Sequence, residues 1–314
     1  MGRGFRRTAI TTGRTVIAAL IVCLCLCSCG GSSIEVQKVP KAEKPAGNFK
    51  PGEFAGAAFD AEQAEGNDEA QIDLSHTAQG YIGVLVNTDA RVKLQVFKDR
   101  EKYVYDVPLG TPQIFPLQCG DGTYVFKIMK NAKDIQYYEM YSCSAEVKLD
   151  SEFEPFLRPN QYCNYQEDSQ CVRLARQMAK SASSEEDFVR EVYDYICKNV
   201  EYDKAEAKHI PDDYLPDPDE ILSSGKGICF DYASLGAAML RSLGIPTKIV
   251  FGYVDPNDIY HAWNMFYTEE TGWSTVEFEV NAGDWNRIDL TFSANGADGQ
   301  FIGDGSHYTD MYYY

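Results

Sequence analysis

Apolar and polar positions alternate through much of residues 76–155. Val92-Lys93-Leu94-Gln95-Val96 sends every second side chain to one face, the period of a half-buried β-strand. Tyr81–Val86, Tyr103–Val107, Tyr124–Ile128 and Ser144–Leu149 read as further strands, with Gly120-Asp121-Gly122 as a turn. Six or seven short strands separated by turns predict a small β-sandwich-like domain over 76–155.

After residue 160 the period changes. Asp168 or Ser169 caps a predicted helix carrying Val172, Ala175 and Met178. A second predicted helix starts at Ser183 or Ser184; Ser183 and Glu186 have the spacing of a capping box, and Phe188, Val192, Tyr195, Ile196 and Val200 follow at helical spacing. An extended loop with Pro211, Pro216 and Pro218 leads to Gly225-Lys226-Gly227 and a helix from Cys229 to Leu240, stopped by Gly244 and Pro246. Thr247–Tyr253, His261–Tyr267, Trp273–Val280 and Trp285–Phe292 are predicted strands. Helices followed by an antiparallel sheet make 160–314 an α+β domain.

The leader carries Arg3, Arg6, Arg7 and Arg14, no acid, and an apolar run from Val16 to Leu26. Eleven residues are too few to cross a bilayer, which takes about 20, so residues 1–28 read as a signal peptide. Leu26-Cys27-Ser28-Cys29 resembles a bacterial lipobox. On that resemblance Cys29 is lipidated, and the mature chain sits on the extracytoplasmic face of the cell membrane. Residues 29–75 mix Pro, Lys and Gly with an acidic stretch and show no apolar period, so they are expected to be a flexible linker.

Net charge is −18, and without the leader 25 basic residues face 47 acidic ones. That balance argues against nucleic acid as a partner. It equally disfavours a polybasic grip on lipid, leaving the N-terminal anchor as the membrane contact.

A nucleophilic thiol needs a thiolate, a base within reach and a group that orients the base. Cys229 opens a helix, where partial positive charge and unpaired N–H groups favour a thiolate and can donate to an oxyanion. His261 opens a strand 32 residues later, and Asp289 follows after 28 more.

Gly225-Lys226-Gly227-Ile228-Cys229-Phe230-Asp231-Tyr232-Ala233 resembles the cysteine motif of transglutaminase-like proteins. Leu240–Pro246 resembles the helix end that follows it, Tyr260-His261-Ala262-Trp263-Asn264 the histidine strand, and Asp289-x-Thr291-Phe292 the aspartate strand. The resemblance covers about residues 165–295. It implies a papain-like α+β core with Cys229 as nucleophile, His261 as base and Asp289 orienting His261. The segment between Trp273 and Asp289 is longer than in the shortest family members. It holds Glu277 and Glu279, either of which becomes the orienting acid in a shifted alignment. Tyr202 is a candidate oxyanion donor.

The activity implied is thiol acyl transfer on peptide or glutamine-type amides, with hydrolysis favoured over cross-linking and cell-wall peptide among the substrates. The alternative is an inactive binding module on the same scaffold. Outside the leader, exported cysteines permit bridges, and Cys119–Cys143 and Cys163–Cys171 are the expected pairs. No CxxC, HExxH or EF-hand loop occurs, so neither metal nor cofactor is expected.

Overall fold

The computed structural model describes residues 47–254, 259–269, 272–274 and 308–314. Its first part is built from β1 (Glu65–Gly66), β2 (Ala70–Asp73), β3 (Tyr81–Val86), β4 (Val92–Lys98), β5 (Glu101–Val107), β6 (Gln113–Pro116), β7 (Gly122–Lys133) and β8 (Gln136–Val147). They form two antiparallel sheets, in the orders β1-β2-β3-β6 and β5-β4-β7-β8. Alternation decides what is buried. On β4, Val92, Leu94 and Val96 point inward, with Lys93 and Gln95 between them only half-buried. The inward residues join Ile82 and Val84 of the other sheet in one core.

The second part continues with α1 (Gln170–Ala179), α2 (Glu185–Asn199), β9 (Glu201–Tyr202), α3 (Pro218–Ser224), β10 (Lys226–Gly227) and α4 (Cys229–Arg241). It ends with β11 (Thr247–Val254), β12 (Ile259–Thr268), β13 (Gly272–Ser274) and β14 (Tyr308–Tyr313). The sheet order is β13-β12-β11-β14, all antiparallel. Helix α4 is buried along almost its whole length, and α1, α2, α3, β11 and β12 all pack on it. This is the α+β arrangement expected. Tyr162 and Phe251 pack against both the β-rich and the helical cores. Arg241, fully buried at the end of α4, donates to the carbonyls of Thr247 (2.8 Å), Arg158 (2.9 Å) and Tyr314 (2.7 Å).

Several local expectations are corrected. A flexible linker to residue 75 fails from residue 47 onward. Gly47 and Phe49 donate to the carbonyls of Lys180 and Ala182, and Gly52 donates to that of Leu243 at 2.8 Å. Phe49 stacks on Phe188 at 5.2 Å, and Phe54 meets Tyr165 edge-on at 5.9 Å. Residues 70–73 add a buried strand. Isolated phenylalanines and a four-residue strand carry no local period, because their partners are far away in sequence. The remainder of the linker and Cys29 lie outside the described residues.

Helix α2 is capped by Ser184, the second of the two expected starts, and the expected Ser183–Glu186 box gives way to a Ser184–Asp187 pairing. Ser184 accepts from the Asp187 N–H, while the Asp187 carboxylate accepts from the Ser183 N–H at 2.9 Å. For α1 the cap comes from afar: the Asp219 carboxylate on α3 accepts from the N–H groups of Gln170 and Cys171 at 2.8 and 2.9 Å. The third predicted strand begins as β13, while residues 275–280 and the fourth, 285–292, lie outside the described residues. An edge strand not foreseen, β14, pairs with β11.

Neither expected disulfide forms. The Cys119 thiol lies beside the Tyr103 hydroxyl and the Cys143 thiol beside Glu65; burial raises them to about 11 and about 12. Cys163 donates to the Ser234 carbonyl at 3.5 Å, whereas Cys171 sits against the Asp219 carboxylate. Each of the four thiols is thus seated in its own surroundings. Among the described residues no helix is long and apolar enough to cross a membrane.

Candidate functional site

The cysteine is positioned by a sequence of tight backbone devices. Helix α3 ends at Gly225, in the left-handed region at φ 64°, and its N–H donates to Ile221. The chain then runs as β10 in parallel register with β9, pairing Gly227 with Tyr202, and enters α4 with Cys229 as first residue. Asp231, two residues on, turns its carboxylate back to accept from the Ile228 N–H at 2.8 Å. A carboxylate in the first turn satisfies a backbone donor there and complements the helix dipole. Gly227 must lack a side chain: a Cβ there would lie 2.6 Å from the Asp231 Cβ. Cys229 itself is half-buried, and the first-turn N–H groups around it have no helical acceptor by construction.

Asp231 is 1 % exposed. Burial raises its carboxyl to about 6, against the lowering effect of the Ile228 N–H and of the Tyr214 hydroxyl, which donates at 2.7 Å; Glu206 and Glu220 add to the rise. Burial and the Asp231 carboxylate push the Tyr214 hydroxyl upward in turn.

His261 stands on β12 opposite Gly252 of β11 and is 5 % exposed. Two residues on, Trp263 is buried with Val250 and Val254, which fixes the strand against its neighbour. Asn264, also buried, donates through Nδ2 to the carbonyl of Ala233 on α4 at 2.9 Å and to that of Lys248 on β11 at 3.3 Å.

Cys229 and His261 line one cavity of about 310 Å³. Its walls come from Tyr162, the Ile210-Pro211-Asp212 loop with Tyr214, Phe230, Phe251, Tyr260 and Tyr314. The structure therefore brings the predicted nucleophile and base to a shared space. Tyr202, the candidate oxyanion donor, packs on the helical core beside the cysteine loop and is not part of the cavity wall. Asp289, and the alternatives Glu277 and Glu279, lie outside the described residues. No cluster of His, Cys, Asp and Glu able to hold a metal occurs among the described residues.

Sequence reasoning assigned no role to Asp231, Tyr214 or Asn264. A signal existed for two of them: an acid at the third position of a helix, and a polar residue inside Trp263-Asn264-Met265-Phe266, an otherwise apolar strand segment. Tyr214 carried none, since it comes from a loop.

The model of the family described as "Transglutaminase-like superfamily" matches residues 172–278. Kyphoscoliosis peptidase from Mus musculus and its Homo sapiens counterpart are each 28 % identical over 131 residues, covering 38 % of this chain and 18 % of theirs. The match thus spans about a fifth of the length of those relatives. Among solved structures, a cysteine-protease candidate from Cytophaga hutchinsonii shares 18 % identity at TM-score 0.39, covering 74 % of this chain and 83 % of its own. Calcium-bound LapG of Legionella pneumophila shares 18 % identity at TM-score 0.33, covering 48 % and 77 %.

Proposed function

We propose that this chain, whose residues 172–278 match the transglutaminase-like superfamily, is a thiol acyl-transfer enzyme acting on peptide or glutamine-type amides, hydrolysis being its main outcome. The observation that carries this reading is the shared cavity, whose wall holds both Cys229, at a helix N-terminus, and His261.

The Cys229 thiolate attacks the amide carbonyl carbon, a C–S bond forms, and the carbonyl electrons move to oxygen. The N–H groups at the start of α4 donate to that oxyanion. The intermediate collapses, the C–N bond breaks, and His261 gives its proton to the leaving amine. Water then adds to the thioester as His261 takes its proton, releasing a carboxylic acid and the thiol. Asp289 holds the imidazole in its productive tautomer. An amine in place of water gives a cross-link.

Anchored through lipidated Cys29, the enzyme meets its substrates, cell-wall peptides among them, on the extracytoplasmic face of the membrane. Acid-quenched mixtures of the protein with peptide amides, read by intact mass, test the chemistry. A substrate-derived acyl group on Cys229 supports it, and added primary amine reports the partition between hydrolysis and cross-linking. Unmodified Cys229 with every peptide leaves a binding module on the same scaffold.

A further inference from the structure

Resting on acyl transfer at Cys229, we infer that the substrate carries a bulky apolar or aromatic side chain next to the scissile amide, and no carboxylate there. The inference comes from the wall of the cavity. Phe230 directly follows Cys229 and Tyr260 directly precedes His261, so the aromatic surface begins where the reacting groups end. The rings brace one another. Phe230 meets Phe251 edge-on at 4.9 Å, Phe251 meets Tyr314 at 5.6 Å and stacks with Tyr260 at 6.1 Å, and Tyr162 meets Phe230 at 5.4 Å. A wall held in this way is formed before substrate arrives, so little ordering is lost on binding.

Charge narrows the class further. Among the described residues the lining contains Asp212 and no lysine or arginine, and Asp231 lies behind Tyr214. A substrate carboxylate in this cavity would lose water and meet no lysine or arginine among the described residues, which is unfavourable. A cavity of about 310 Å³ stands at the small end of ligand pockets, which run from roughly 300 to 1,000 Å³. It suits one large side chain with its adjoining backbone rather than an extended chain.

Tyr260 is the variable element. It is 54 % exposed, whereas Phe251 and Tyr162 are partly buried against both cores, so its ring can be removed without opening the interior. Tyr260 is thereby a specificity-determining residue: it presents apolar surface that a substrate side chain covers.

The test uses the full chain and two series of blocked peptides, varying Phe, Leu, Ala, Asp and Lys on the acyl side or the amine side of one amide. Turnover is measured as kcat/KM, and binding to the Cys229→Ala variant by calorimetry. At one of the two positions Phe should exceed Ala by about 10–100-fold, with Asp below Ala. Tyr260→Ala should cut the Phe-to-Ala ratio several-fold, and Tyr260→Phe should keep it. Equal use of all five residues at both positions, or a preference for Asp or Lys, overturns the inference. A Phe preference in binding without any thioester retains the pocket's selectivity and removes the acyl-transfer reading instead.

Discussion

Asn264, three residues after His261, donates its side-chain N–H to the carbonyl of Ala233, one turn after Cys229, at 2.9 Å. This bond ties the strand of the candidate base to the helix of the candidate nucleophile. A second bond to Lys248 at 3.3 Å holds the same carboxamide to β11. Asn264→Ala leaves the Ala233 carbonyl buried without this partner, at a cost of about 1–3 kcal/mol. Urea unfolding should show that loss. Acylation by a peptide amide should fall more than the folded fraction does, because the separation of Cys229 and His261 loses its tie.

Asp231 gives a pH dependence whose sign is fixed. Burial raises its folded-state pKa to about 6, above the ordinary 3.8. Its contribution to stability is therefore full below about 4 and is lost as pH rises through 6, because the folded chain binds the extra proton across that window. Asp231→Asn keeps a neutral acceptor for the Ile228 N–H and removes the titration. The difference in unfolding free energy between wild type and Asp231→Asn should move against wild type by on the order of 2 kcal/mol from pH 4 to pH 7. A difference constant across that range would mean that the carboxyl is not titrating there.

Gly227→Ala drives a methyl into the Asp231 side chain, 2.6 Å away. Both are packed, so the backbone before Cys229 must shift, at about 1–3 kcal/mol. Alkylation of Cys229 by iodoacetamide should slow in this variant while the far-UV circular dichroism is unchanged.

Cys229→Ala and His261→Ala should each abolish acyl transfer, on the order of 10⁴-fold or more, without adding, because nucleophile and base act as one unit. Asp289→Ala should retain a residue of activity, since an orienting acid makes no bond. Full activity in Asp289→Ala together with loss in Glu277→Ala or Glu279→Ala would move the orienting role to a glutamate.

Lipidation of Cys29 predicts that the wild-type chain takes up radiolabelled palmitate and partitions with membranes, since two or more acyl chains give stable anchoring. Cys29→Ala should lose both properties, and labelling at the wild-type level would place the anchor elsewhere.

Where side chains follow a local period, the sequence was enough. The alternation on β4, the apolar face of α2 and the glycine stop of α4 all lie where the pattern puts them. The cavity partners Cys229 and His261 were legible for another reason: each sits in a run of distinctive residues at the start of an element. Interactions between distant segments were not legible. Asp219 capping α1, Gly52 against Leu243 and β14 on β11 join residues 48 or more positions apart. No local pattern announces such pairs. The cysteines show the reverse error. Cys163 and Cys171 are close in sequence, yet one thiol turns to the Ser234 carbonyl and the other to Asp219.

The strap made by Gly47, Phe49, Gly52 and Phe54 bears on modularity. Gly52 passes so close to Gly244 that a Cβ on Gly244 would fall 2.8 Å from the Gly52 Cα, and Gly244 itself adopts φ 83°. The loop that closes α4 thus uses residues nearly 200 positions upstream as its outer cover. Excising the superfamily-matching segment 172–278 would strip that cover, remove Gln170 and Cys171 from beneath Asp219, and deprive β11 of β14. The catalytic-looking unit is therefore not a transplantable cassette. Grafted into another protein without its upstream strap, it should expose Phe188 and the α4 terminus, and aggregate rather than fold.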